Sequence, residues 1–432
     1  MSVPDTLKLG VIKQIYPASQ IPNIPEVLAD EFARLELASK IKSGDKVVIT
    51  SGSRGIDSML EVISELVKIL KSLGAKPFIL PAMGSHGGGT DSGQVEVLEH
   101  LGQTEHSLGA PILADYRPTI IGEVFGGLPV SVDGSALREG GADHVILVGR
   151  VKEHTEFIGP IESGLLKMAV VGLGRVQGAT KMHQAAVKYT YHKTIEAMAK
   201  VIFSKAPILC GVALVEDQRN NLCHLEVVSA DQIFSREREL LILSQSKKPH
   251  LPWDRLDVLI VDEMGKDISG AGLDTKVIGR IMNIYEQEPQ TPKITRLISL
   301  KISAKGGGNA IGVGLNDFIT RELFEAIDPE MTDLNSTVAV SPEKGRIPIV
   351  RANAKAALEG ALATVGPYEP EDLEMAFIAS TKDLEYLGVS AALWRKSDSP
   401  EFERIAPPRP LPFKSDGNLM GFKQWLESLG IN

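Results

Sequence analysis

A chain of 432 residues has room for two domains of ordinary size, and 43% hydrophobic against 23% charged residues is the balance of a protein that builds its own core. A formal net charge of −9 offers no general basic field for nucleic acid or an anionic membrane surface. Two cysteines, Cys210 and Cys223, exclude a disulfide framework and a four-cysteine metal centre, and with no apolar leader or membrane-length run the expected setting is cytoplasmic.

In chain order, "DKVVIT" (45–50) reads as a strand and "SMLEVISELVKILKSLGA" (58–75) as an amphipathic helix ending near a glycine. "KPFILPA" (76–82) is the next strand, followed by the glycine-rich turn "MGSHGGGTDSG" and a helix over 93–102. "DHVILVGR" (143–150) and "LLKMAVVGLG" (165–174) read as buried strands, 183–203 as a helix, and "PILCGVALVED" (207–217) as a strand. The polar, proline-containing stretch 244–255 reads as a linker. A second series follows, with strands expected at "LDVLIVDEMG" (256–265), "TRLISLKIS" (295–303), "STVAVS" (336–341) and "MAFIAST" (375–381). The tail 397–413 is too proline-rich to expect regular structure, and a short helix over 421–430 closes the chain. Strands alternating with helices predict an α/β protein of two domains, 1–250 and 251–432, each with a largely parallel sheet.

Ligands of such sheets bind beyond the carboxyl ends of the strands, and the chemistry-bearing residues cluster after strands. The stretch "VVGLGRVQGATKMH" (170–183) spaces Gly172, Gly174 and Gly178 as G-x-G-x-x-x-G, which is not the dinucleotide fingerprint, and no P-loop follows. Backbone N–H groups at a helix start would still suit an anion. His183 is expected at that helix's N-terminus, where the positive end favours neutral imidazole, the form a metal needs; a structural role is the alternative. Lys167, alone in an apolar run, either snorkels to solvent or, if buried, becomes a nucleophilic amine. Arg54 in "TSGSRG" suits carboxylate capture or a surface ion pair, and His154 in "RVKEHTEF" is an acid/base or an ordinary loop histidine. Lys266, Lys301 and Lys305 sit on two further glycine-rich loops, each of which could be a plain connection. His86, among glycines, is a stray residue in a phosphate cradle or a base on a tight turn.

In this order those residues resemble the nickel-dependent lactate racemase family, whose members bind a nickel-pincer nucleotide. The resemblance runs through "TSGSRG", "GSHGGGT", "KEHTEFIGPIESGLLK", "GATKMH", "VDEMGKDISGAGLDTKVIGR" and "GGGNAIGVGLNDF", from about Lys46 to Phe318. It implies that Lys167 tethers the cofactor as a thioamide, that His183 completes the nickel coordination, and that Gly172 and Gly174 belong to the cofactor-binding stretch. It further implies that His86 and His154 are paired acid/base histidines, that Arg54 holds the substrate carboxylate, and that Lys305 faces the substrate from the second domain. The implied reaction inverts C2 of a 2-hydroxy acid in a cleft between the domains. One imidazole takes the hydroxyl proton as hydride leaves Cα; the planar 2-oxo acid turns, and hydride returns to its other face. The implied partners are a small 2-hydroxy acid and the proteins that mature the cofactor.

Three departures bear on the substrate. Ser51 stands where the lactate enzymes have aspartate, Gly87 and Gly88 stand where they have arginine and proline, and the segment between His154 and Lys167 is longer. A changed pocket points to a larger or more polar 2-hydroxy acid. The competing readings are an NAD-dependent 2-hydroxy acid dehydrogenase and a non-catalytic nucleotide- or anion-binding protein.

Overall fold

The computed structural model describes residues 3, 4 and 6–431. The chain divides into two compact units: Ala18–His154 with Ile158–Lys248, and the chain up to Pro17 with Thr155–Phe157 and everything from Pro249 onward.

The first unit is built on a five-stranded sheet in the spatial order Lys76–Pro81, Lys46–Ser51, His144–Arg150, Ile208–Glu216, Leu222–Ser229. The first four strands run parallel and the last is antiparallel. Their apolar runs, such as Val47–Ile49 and Val145–Val148, are fully buried, as strands covered on both faces must be. The helix Met59–Ser72 buries Met59, Val62, Ile63, Leu66, Val67 and Leu70, a 3.6-residue stripe; each such side chain contributes roughly 1.5–3 kcal/mol on burial.

Two sequence expectations fail in this unit. The apolar run from Leu165 to Gly174 is no strand: Leu165–Lys167 is a short helix, Met168–Gly172 a π-helical turn, and a helix follows over Arg175–Tyr189. A run buried on all sides carries no period, so strand and helix look alike in it. Nor is 183–203 one helix; Thr190, at φ 66°, breaks it into Arg175–Tyr189 and Tyr191–Lys205.

The second unit has an eight-stranded sheet in the order Ile349–Arg351, Phe318–Thr320, Lys293–Ile302, Arg255–Met264, Met375–Ile378, Tyr386–Ser390, Lys8–Gln14, Phe402–Pro410. The first five strands are parallel, and each of the last three pairs antiparallel with its neighbours. "STVAVS" is not a strand but the end of the helix Pro329–Val338 and the turn after it. The proline-rich tail, expected to be irregular, supplies the edge strand Phe402–Pro410. At an edge a proline forfeits no needed ladder bond, and the pairing with Lys8–Gln14 slips at two points to admit it. In the same unit, Thr275, Asn283 and Lys276 side chains donate to the three successive carbonyls of Thr155, Glu156 and Phe157, each at 2.7 Å. The Glu156 carboxylate is buried against Lys344, Asn283 and Ser341. Both large sheets are thus α/β with parallel strands, the expected fold class. Among the described residues, no helix is long and apolar enough to cross a membrane.

Candidate active site

The helical run from Leu165 to Tyr189 lies at the carboxyl ends of three neighbouring strands of the first unit, and glycines let it approach. A Cβ at Gly149 would sit 3.6 Å from Gly164 O, and one at Gly52 would sit 3.4 Å from Met168 Cε. At Gly172 a Cβ would lie 2.4 Å from Met168 Sδ and 3.1 Å from Ala82 O; at Gly174, 2.2 Å from Val170 O. Both glycines are buried, so close packing accounts for their missing side chains. Because the stretch 170–183 is helical rather than strand–turn–helix, the context a dinucleotide fingerprint requires is absent from it.

Lys167 and His183 both belong to this run. His183 stands inside the Arg175–Tyr189 helix, not at its start, so the helix-dipole argument for a neutral imidazole does not apply. Its neutrality has another cause: burial, and then the charge of Lys167, push its pKa down to about 4. His183 Nδ1 lies 3.1 Å from the hydroxyl of Tyr191, with the rings edge to face at 5.6 Å between centroids. Tyr191, 1% exposed, also stacks against His154 at 6.0 Å and 28°. Tyr191 therefore joins the two histidines. His154 is half-buried, and its backbone N–H donates to the buried carboxylate of Glu162 at 2.6 Å.

The start of the run is fixed by Glu237. Its Oε2 accepts from Leu166 N–H at 2.9 Å, one residue before Lys167. Burial pushes this carboxyl up to about 7, against the pull of the Leu166 and Leu165 N–H groups.

His86 is exposed on a turn that packs over the same run: Cβ atoms at Gly84 and Gly89 would meet Val171, Ala179 and Val176. Gly87, Gly88 and Gly89 have φ of 62°, 66° and 70°, which favours glycine at each. A Cβ at Gly87 would lie 2.4 Å from the carbonyl carbon of Gly93, so a side chain there is excluded in this conformation. Ser51 is buried and its hydroxyl donates to Gln103 at 2.6 Å, a core contact. Arg54 is exposed and, among the described residues, has no acidic partner; partial desolvation and then the neighbouring Arg150 lower its pKa. Arg150 itself is paired with Glu216. A guanidinium left without a carboxylate suits an anionic ligand.

Lys305 is exposed in the loop after the Lys293–Ile302 strand of the second unit. The structure thus brings His183 and His154 together around Tyr191, sets the Lys167 charge close enough to act on His183, and places the His86 turn on the same helical run. Tyr191, Glu162 and Glu237 went unnoticed in the sequence, where a tyrosine or glutamate in a helical pattern, or a glutamate in a loop, carries no local signal. Among the described residues, no three His, Cys, Asp or Glu side chains come together as a metal cage.

A two-unit α/β chain whose lysine and histidines gather at the carboxyl ends of a parallel sheet has the layout of a small-molecule site. No family model matches the chain, and no curated protein matches it. Among solved structures it is similar to the lactate racemase apoprotein from Thermoanaerobacterium thermosaccharolyticum, with a TM-score of 0.52 and 14% identity over 89% of this chain and 96% of that one. The chain has a lactate racemase-like fold.

Proposed function

We propose that the protein is a racemase or epimerase acting at C2 of a 2-hydroxy acid, with a nickel-pincer nucleotide tethered to Lys167. The observation that carries the reading is the group around Tyr191: a neutral imidazole beside a lysine amine, with a second imidazole across the same ring. The donor set fits the cofactor. In the tautomer whose Nδ1–H donates to the Tyr191 oxygen 3.1 Å away, the lone pair of His183 Nε2 would be left for a metal, and a nickel ion that brings its own sulfur and carbon donors needs one such protein ligand. Bound there, the cofactor would accept a hydride from substrate and return it.

The remaining work falls to the chain's own side chains. Arg54 binds the substrate carboxylate, and its lack of an internal partner supports that role. His86 and His154 exchange the hydroxyl proton, one for each enantiomer. Gly172 lets the segment carrying Lys167 lie against Ala82 at a strand end, and Gly174 lets the turns of that segment close on Val170 O. Lys305, an exposed cation after a strand end, supplies a further charge to the substrate. Ser51, as a core residue, leaves the glycine turn at Gly87–Gly88 as the main departure shaping the pocket, in favour of a substrate bulkier than lactate.

The test is expression in cells that make the nickel-pincer cofactor, followed by intact mass and nickel analysis. The expected result is a mass gain localised to Lys167 and lost in Lys167→Ala. Unmodified, nickel-free protein from a host that loads a control racemase would overturn the reading.

A further inference from the structure

We propose that Gln94 is the positioning residue that holds His86 in place; this rests on the reading of His86 as an acid/base group. Gln94 stands in the first turn of the helix Asp91–His100 and is fully buried, an unusual fate for a glutamine. Its Nε2 donates to Gly84 O at 2.9 Å and to His86 O at 3.2 Å. One amide thereby grips the chain on both sides of Ser85 and holds the carbonyl of the histidine itself.

Further along the turn, Thr90 Oγ1 donates to Gly87 O at 3.1 Å. His86 N–H reaches Met83 O at 3.2 Å and Gly89 N–H reaches His86 O at 3.1 Å, and the next three residues are glycines with the widest backbone freedom. A catalytic histidine on so permissive a loop needs an external brace. Gln94 Oε1 is buried with no hydrogen-bond partner among the described residues, so the side chain's two donor bonds are what its burial achieves.

The brace is itself anchored. Asp91, three residues earlier, takes Arg175 Nη2 at 2.6 Å, and Arg175 Nη1 reaches the buried Asp133 at 3.2 Å. Arg175 is 1% exposed and held at φ 50°, a strained value for a side chain of its size, at the start of the helix that carries His183. Gln94 therefore hangs from a helix tied to the one bearing His183, and fixes His86 in register with it.

The experiment compares wild type, Gln94→Leu and Gln94→Met by hydrogen exchange and by steady-state kinetics. Leucine removes the donor at similar volume; methionine keeps a foldable protein should leucine not fit. The expected result is about tenfold or faster exchange at the His86, Gly89 and Thr90 amides, with the Lys76–Pro81 strand unchanged. In the cofactor-loaded enzyme kcat should fall about ten- to a hundredfold at unchanged KM, because Arg54 still binds the carboxylate. Wild-type exchange in both variants, or a raised KM at unchanged kcat, would overturn the assignment. The exchange measurement needs no substrate: faster exchange in a protein that inverts no 2-hydroxy acid would sink the acid/base reading of His86 and sustain Gln94's grip on the turn.

Discussion

Acidification from pH 8 to pH 5 is expected to destabilise the unit that carries His183 by about 2 kcal/mol through this one imidazole. Burial and the Lys167 charge hold its pKa at about 4, against an ordinary 6.5. As pH falls below 6.5 the unfolded chain takes up a proton that the folded chain refuses. The stabilisation is therefore complete above 6.5 and is lost progressively down to 4, where the folded imidazole protonates as well. The whole window, 6.5 − 4, is worth about 3 kcal/mol at 1.36 kcal/mol per pKa unit, and some two-thirds of it is gone by pH 5. Glu237 acts in the opposite sense: its pKa is raised from 4.5 to about 7, so its contribution is complete below 4.5 and is lost as pH rises through 7. Because the two effects overlap, the assay is a difference. Urea unfolding of wild type and His183→Asn is followed through hydrogen exchange in the Arg175–Tyr189 helix at pH 8, 6.5 and 5. The stability gap between the two proteins should shrink by about 2 kcal/mol at pH 5 relative to pH 8. Parallel pH curves would refute the claim that burial keeps this imidazole neutral.

Glu237→Gln, which keeps an oxygen for Leu166 N–H and cannot ionise, should gain about 3 kcal/mol on wild type between pH 4 and pH 8, read by the same unfolding assay. Arg54→Met should leave stability within about 0.5 kcal/mol of wild type, since no internal ion pair is lost, while binding of a 2-hydroxy acid by the loaded enzyme weakens at least about tenfold by calorimetry. Gly87→Ala should cost about 1–3 kcal/mol by thermal unfolding, because φ is 62° and the new Cβ meets the Gly93 carbonyl; Gly88→Ala, with open space around it, should cost about 1 kcal/mol.

The strands with continuous apolar runs, Lys46–Ser51, His144–Arg150 and Arg255–Met264, were legible in the sequence because both faces of a parallel sheet are covered and short runs bounded by turns say so. The same logic misled at Leu165–Gly174, where a helix buried on all sides writes the same apolar run. The edge strand Phe402–Pro410 was hidden by its prolines, which only the tertiary position at a sheet edge makes harmless. For the candidate site, position after a strand and glycine neighbours were enough to single out Arg54, His86 and His154. The braces were not legible: Tyr191, Glu237 and Gln94 act through contacts 8, 71 and up to 10 residues away, and no local pattern announces them.

Inversion at C2 by hydride transfer leaves its mark on the fate of the C2 hydrogen. The direct measurement is incubation of the cofactor-loaded enzyme with single-enantiomer 2-hydroxy acids deuterated at C2, followed by chiral chromatography and mass spectrometry. Each enantiomer should give the other, and the product should keep its deuterium, since hydride leaves and returns without meeting water. Inversion with exchange of the C2 deuterium into solvent, or no inversion across a panel of 2-hydroxy acids by enzyme with a verified Lys167 adduct, would contradict it.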